Sequence, residues 1–214
     1  MTPLMIETAL VAFATFFATM GPIDVAAIFA GLTAGTPVSH RRRMAYKGTL
    51  ISTGILLMFA LFGNDVLFYM GISLAALKTA GGILLLLVGI EMVLAHPSGL
   101  TSTTPDETQE AASRQDISVF PLATPLIAGP GTMGAVVLLI AEANGDLVQQ
   151  SIVVGALLTC LVITLVCLLM ATQLQRLLGI TGLNVISRVV GVLLTALAVQ
   201  FIFDGIDASG LLKG

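Results

Sequence analysis

Asp24 is an acid inside an apolar run, three residues after Gly21 and two after Pro22, and that spacing gives it chemistry to do. Proline at the first position of a helix loses nothing by lacking its N–H, so Pro22 can start a new half-helix within the run. Asp24 then lies in the first turn, near free N–H groups and the positive end of the helix dipole. Its expected partner is a substrate ammonium, Na+ or a proton, because ionisable groups at such depth are costly and mark pathways. The bland alternative is that Asp24 only caps its half-helix. Gly129-Pro130-Gly131-Thr132 repeats the break without the acid. Its amides are free to meet an anionic group and Thr132 adds a hydroxyl donor, unless the break is a packing kink of small residues. One acidic and one electropositive wall suit a zwitterion better than a sugar or an inorganic anion. Glu91 and Gln200 are coupling or gating candidates, each late in an apolar run, with interfacial snorkelling as the alternative for Glu91. Arg188 is either an inner anchor or a gate partner for Glu91.

The elements that must hold these residues lie in a bilayer. The chain has 214 residues, 57% hydrophobic and 10% charged, with a mean hydropathy of +1.04. A soluble domain carries about 25% charged residues. A net charge of −3 and the lack of a basic stripe exclude a nucleic-acid partner. Cys160 and Cys167 lie on one helical face, about 10 Å apart along the axis and too far for a disulfide, and no histidines accompany them as metal ligands. His40 sits among arginines and His96 precedes a proline, and no nucleophile elbow or phosphate loop occurs, so no enzyme and no cofactor is expected beyond a coupling H+ or Na+. The first residues lack the basic n-region of a cleaved signal, so the first run is read as a retained span.

A crossing needs about 20 apolar residues. Six segments qualify, at about 6–34, 48–62 (with an extension to 70), 77–95, 117–141, 147–171 and 183–206. A polar linker, 96–116, divides a first three-span part, 1–95, from a second, 117–214. Arg41, Arg42, Arg43 and Lys47 are expected in a loop between spans one and two, and Asn64-Asp65 in an outer turn. By the positive-inside rule that basic loop is cytoplasmic, which puts both termini outside and places Lys78, Glu142 and Asp146 on the outer face.

Laid over each other at a shift of about 108 residues, the halves match break to break: Gly21-Pro22 on Gly129-Pro130. One residue further on, Gly82 meets Gly191 and Glu91 meets Gln200. Three spans per half is an odd number, so the second copy enters the bilayer from the opposite side. The fold expected is an all-α membrane protein of six spans, a 3+3 inverted repeat broken at spans one and four, the plan of many secondary transporters.

Phe120-Pro-Leu-Ala-Thr-Pro-Leu-Ile-Ala-Gly-Pro-Gly131 resembles the signature of the MarC family of inner-membrane proteins, which is similar in fold to LysE-type exporters. Arg41 through Ala45 resembles the family's basic stretch, and Gly191 through Gly205 its last span. The first break departs from the family pattern of Asn-Pro followed by Gly and a second Pro, having Gly21-Pro22-Ile23-Asp24 and then Ala27. The resemblance implies a six-span bacterial inner-membrane protein and a transport role, with glycine or alanine as the substrate class described for some members. A carrier for a small zwitterionic solute is therefore the leading expectation. A non-transporting scaffold or partner subunit, a passive channel and a drug-efflux protein are its rivals. Expected partners are the lipid bilayer and the small-molecule substrate, with homo-oligomerisation left open.

Overall fold

The computed structural model describes residues 3–33, 35–94 and 116–210. Its regular elements are helices: α1 (Pro3–Met20), α2 (Pro22–Leu32), α3 (Val38–Tyr69), α4 (Leu74–Leu94), α5 (Pro130–Glu142), α6 (Leu147–Leu169) and α7 (Ala171–Ala208). An irregular coiled segment, Ser118–Ile127, precedes α5. Among the described residues, five helical stretches are long and apolar enough to cross a membrane, and six if Ser118–Ile127 and Pro130–Glu142, bent by 53°, form one span. The chain is an all-α multi-pass membrane protein. Of the expected 96–116 linker only Asp116 falls within the described residues.

Three expected loops are helical instead. Arg41, Arg42, Arg43 and Lys47 lie on α3, which begins ten residues before the expected span. Asn64-Asp65 lies within the same helix rather than in a turn. The stretch between the fifth and sixth expected spans belongs to α7, a helix of 38 residues joined to α6 through Met170 alone. Hydropathy marks what lies in hydrocarbon, whereas a helix runs on past it where no Pro stops it, and single glycines such as Gly63, Gly179 and Gly182, at about 1 kcal/mol each, do not end it.

Both expected breaks exist. Gly21 sits at φ 53°, ψ 59°, the left-handed region that glycine enters without a Cβ clash, and so separates α1 from α2 within one 29-residue crossing. Gly21 N–H still reaches Phe17 O at 3.1 Å, and Gly21 O accepts from Val25 N–H at 2.9 Å. The second break is wider than its Gly-Pro pair. Phe120 and Thr124 are extended (φ/ψ −129°/128° and −138°/126°), as residues before proline prefer. The Phe120–Pro121 and Thr124–Pro125 peptides are cis.

Lipid tails are as apolar as leucine, so these helices associate through packing and internal hydrogen bonds. Phe16, Phe29, Leu56, Leu122, Leu138 and Leu157 are fully buried in one core. The longest seam joins α4 to α7. There a Cβ on Gly82 would lie 2.8 Å from Ala198 O and 3.0 Å from Ile202 N. On Gly191 it would lie 3.0 Å from Gly89 O and 3.1 Å from Val93 N. The backbones touch because neither position has a side chain. The other principal contacts come in matched pairs. Helix α1 packs on α6 as Ser118–Ile127 packs on α3, and α2 packs on α6 and α7 as α5 packs on α3 and α4.

Candidate functional site at the broken crossings

The first break builds a small cavity. Pro22 occupies the first position of α2, with Asp24 in its first turn. The Asp24 side chain folds back over Gly21, with Oδ2 3.3 Å from where a Gly21 Cβ would stand. Phe17, Gly21, Pro22, Ile23 and Asp24 enclose the space on one side, Met92 of α4 and Val190 of α7 on the other. The cavity measures about 10 Å³, close to what one water requires.

The second break holds an unsatisfied hydroxyl. Gly129 is extended, and the first helical bond of α5 runs from Met133 N–H to Gly129 O at 2.9 Å. The amides of Gly131 and Thr132 precede that bond, where no earlier helical carbonyl can reach them. Thr132 is completely buried, and its Oγ1 has no hydrogen-bond partner among the described residues. Upstream, wide turns close through Leu122 N–H to Ile117 O (3.1 Å) and Ala128 N–H to Ala123 O (2.9 Å). Ser52, wholly buried on α3, donates to Gly48 O at 2.9 Å and to Ala123 O at 3.3 Å. A hydroxyl from a neighbouring helix thus serves one carbonyl of the irregular segment, as backbone at membrane depth requires.

The two broken crossings pack on each other, α1 against α5 and α2 against Ser118–Ile127. Gly129, Pro130, Gly131 and Thr132 nevertheless do not line the Asp24 cavity. Helix α4 is the element common to both. A Cβ on Gly131 would lie 3.1 Å from Val88 Cγ2, and Met92, one turn on, walls the cavity. Glu91, one turn after Val88 on the same helix, is buried at 9% exposure. Gln200 and Arg188 lie elsewhere. Gln200 is exposed and donates to Asp204 Oδ1 at 2.7 Å, and Arg188 is exposed with no ion pair among the described residues. Thr19 donates to Thr15 O at 2.8 Å, a bond inside α1 rather than across its break.

Ion pairs fasten the second broken crossing at both ends. Lys47 Nζ meets Asp116 Oδ2 at 2.7 Å, and Lys78 Nζ meets Glu142 Oε1 at 2.9 Å. The Lys47 hydrogen bond, with further bonds from the Ser118 hydroxyl and amide, holds the Asp116 carboxyl well below the usual carboxylate range. Sequence reasoning missed Ser52 and both pairings. The only available signal was a small residue four before Ser52, since partners 60 or more residues apart leave no local pattern.

A family model for the MarC family integral membrane protein matches residues 6–209. The chain belongs to the MarC family. This MarC member is 39% identical over 197 residues to the UPF0056 membrane protein MJ1677 of Methanocaldococcus jannaschii, covering 92% of this chain and 95% of that protein. It is 33% identical to the UPF0056 membrane protein YvbG of Bacillus subtilis (91% and 92% covered) and 32% identical to YhcE of Escherichia coli (91% and 89%). No solved structure matches.

Proposed function

We propose that this MarC member is a secondary carrier for a small zwitterionic solute, such as a neutral amino acid, and not an enzyme. The observation that carries the reading is the pair of broken crossings packed on each other, each presenting a helix start at depth. Asp24 stands in the first turn of one, and the buried Thr132 hydroxyl, with no partner among the described residues, in the first turn of the other. The Gly131 and Thr132 amides receive the carboxylate, and Asp24 receives the ammonium or a coupling H+ or Na+. Glu91, buried on α4, is the second coupling candidate. No resident cofactor is invoked.

The matched packing of the two halves supports an inverted repeat. The orientation proposed is the cytoplasmic (inner) membrane with both termini outside, from the arginines at the start of α3. Three contacts support the alternation behind it. Lys78 with Glu142 pairs two residues assigned to the outer face. Lys47 with Asp116, and Arg41 with Thr172, join the basic stretch to residues between spans three and four and between spans five and six, which the same alternation puts on the inner face.

A space of about 10 Å³ beside Asp24 does not hold an amino acid, so this arrangement is read as a closed state of the cycle. The same narrowness favours a rival, a non-transporting scaffold in which the breaks only pack. Proteoliposomes with labelled glycine or alanine separate the two. Saturable, gradient-dependent uptake that Asp24→Asn uncouples supports the carrier. Flux no greater than in empty liposomes supports the scaffold. Equal flux by wild type and Asp24→Asn, indifferent to any gradient, removes the role given to Asp24.

A further inference from the structure

Away from the breaks, α3 and α6 enclose a second polar space with the start of α7. Val38, Arg41 and Arg42 line one side, and Leu168, Leu169 and Gln173 the other. The cleft measures about 110 Å³. A single water needs only about 10–15 Å³ by this measure, so a tetrahedral anion fits together with its waters. Arg41 Nη1 donates to Thr172 Oγ1 at 2.6 Å, which fixes that guanidinium across the helix junction and leaves its other donors to a ligand. Neither Arg41 nor Arg42 has a carboxylate partner among the described residues, whereas Lys47 and Lys78 each have one. The first turn of α3 lies in the same wall. Arg41 N–H makes its bond to Pro37 O, so the amides before it precede the helical ladder.

We propose that this cleft binds a phosphate group at the membrane face, carried by an anionic phospholipid or by a free phosphate anion. Planar guanidinium forks match phosphate oxygens in pairs, and Arg is the residue suited to that geometry. Leu168 and Leu169 give the cleft an apolar wall, and charge-assisted bonds made beside it are stronger than in open water. Arg43 is adjacent in sequence and absent from the cleft lining, so it separates a built site from general attraction of positive charge to an anionic surface.

The test uses the full chain in neutral detergent. Its apparent melting temperature is followed during titration with inorganic phosphate, short-chain phosphatidylglycerol or short-chain phosphatidylcholine. A saturable rise with phosphatidylglycerol and none with phosphatidylcholine or phosphate identifies a lipid headgroup. An equal rise with phosphate identifies the free anion. In either case R41Q and R42Q shift half-saturation by about tenfold or more, and R43Q by less than about twofold, as loss of a charge-assisted bond implies. V38F keeps every charge and fills the cleft from a side chain 55% exposed, so it weakens binding without burdening the fold. No saturable rise with any probe, an R43Q loss equal to that of R41Q, or unchanged binding by V38F overturns the proposal.

Discussion

Thr132 is where stability and function pull apart most clearly. A buried hydroxyl with no partner among the described residues carries its desolvation penalty, about 1–3 kcal/mol. Thr132→Val keeps the shape and removes that penalty, so the variant is expected to melt higher than wild type in detergent. If the hydroxyl meets the substrate carboxylate, the same variant raises the KM for uptake. A Thr132→Val protein that melts lower would mean the hydroxyl already has a partner and is not held for a ligand. The breaks themselves were legible, because Gly-Pro in an apolar run has few other meanings. Asp24 was legible as an acid at depth. Its fold back over Gly21 was not, since side-chain direction depends on the left-handed backbone at that glycine. Ser52 was illegible for a different reason. Its task is set by Ala123 of another crossing, and a buried serine on α3 looks the same with or without that carbonyl nearby.

The bent crossing packs on α3, takes a bond from Ser52 at Ala123 O, and is tied by an ion pair at each of its two ends. Between them, the prolines at 121, 125 and 130 remove the amides that would have held a straight rod. The preference of pre-proline residues for extended backbone could have widened the expected break back to Phe120. The helical starts of α3 and α7 had no such signal, because polar helical turns and polar loops share a composition. The Asp116 end makes a prediction about acid. Its folded carboxyl titrates below the unfolded value of about 3.9, so the contribution of the Lys47 pair is complete above that pH and is lost as pH falls below it. Wild type is therefore expected to lose more melting temperature than Asp116→Asn between about pH 6 and about pH 3. Both partners are about half exposed, so the difference corresponds to no more than about 1 kcal/mol. Parallel acid curves for the two proteins would show that the pair contributes nothing to holding the crossing.

For the whole molecule, the proposed inverted repeat makes a claim that can be measured at the α4–α7 seam. A shift of about 109 residues carries Gly82 onto Gly191, Gly89 onto Ala198 and Val93 onto Ile202. The structure shows Gly82 against Ala198 O and Ile202 N, and Gly191 against Gly89 O and Val93 N. The two contacts are thus each other's images, although they use different residues on each side. A methyl group at either glycine must push the opposing helix backbone away, and overpacking of this kind costs about 1–3 kcal/mol. Gly82→Ala and Gly191→Ala are therefore expected to lower the melting temperature by similar amounts. Gly155, with open space where its Cβ would stand, tolerates the same change with little loss. Melting curves of the three variants in one detergent decide the point. Similar losses at 82 and 191, with Gly155→Ala near wild type, fit two copies of one packing unit facing each other. A large loss at one seam glycine and none at its image would mean that the halves share a pattern of breaks but not a common architecture, and the inverted repeat would fail with it.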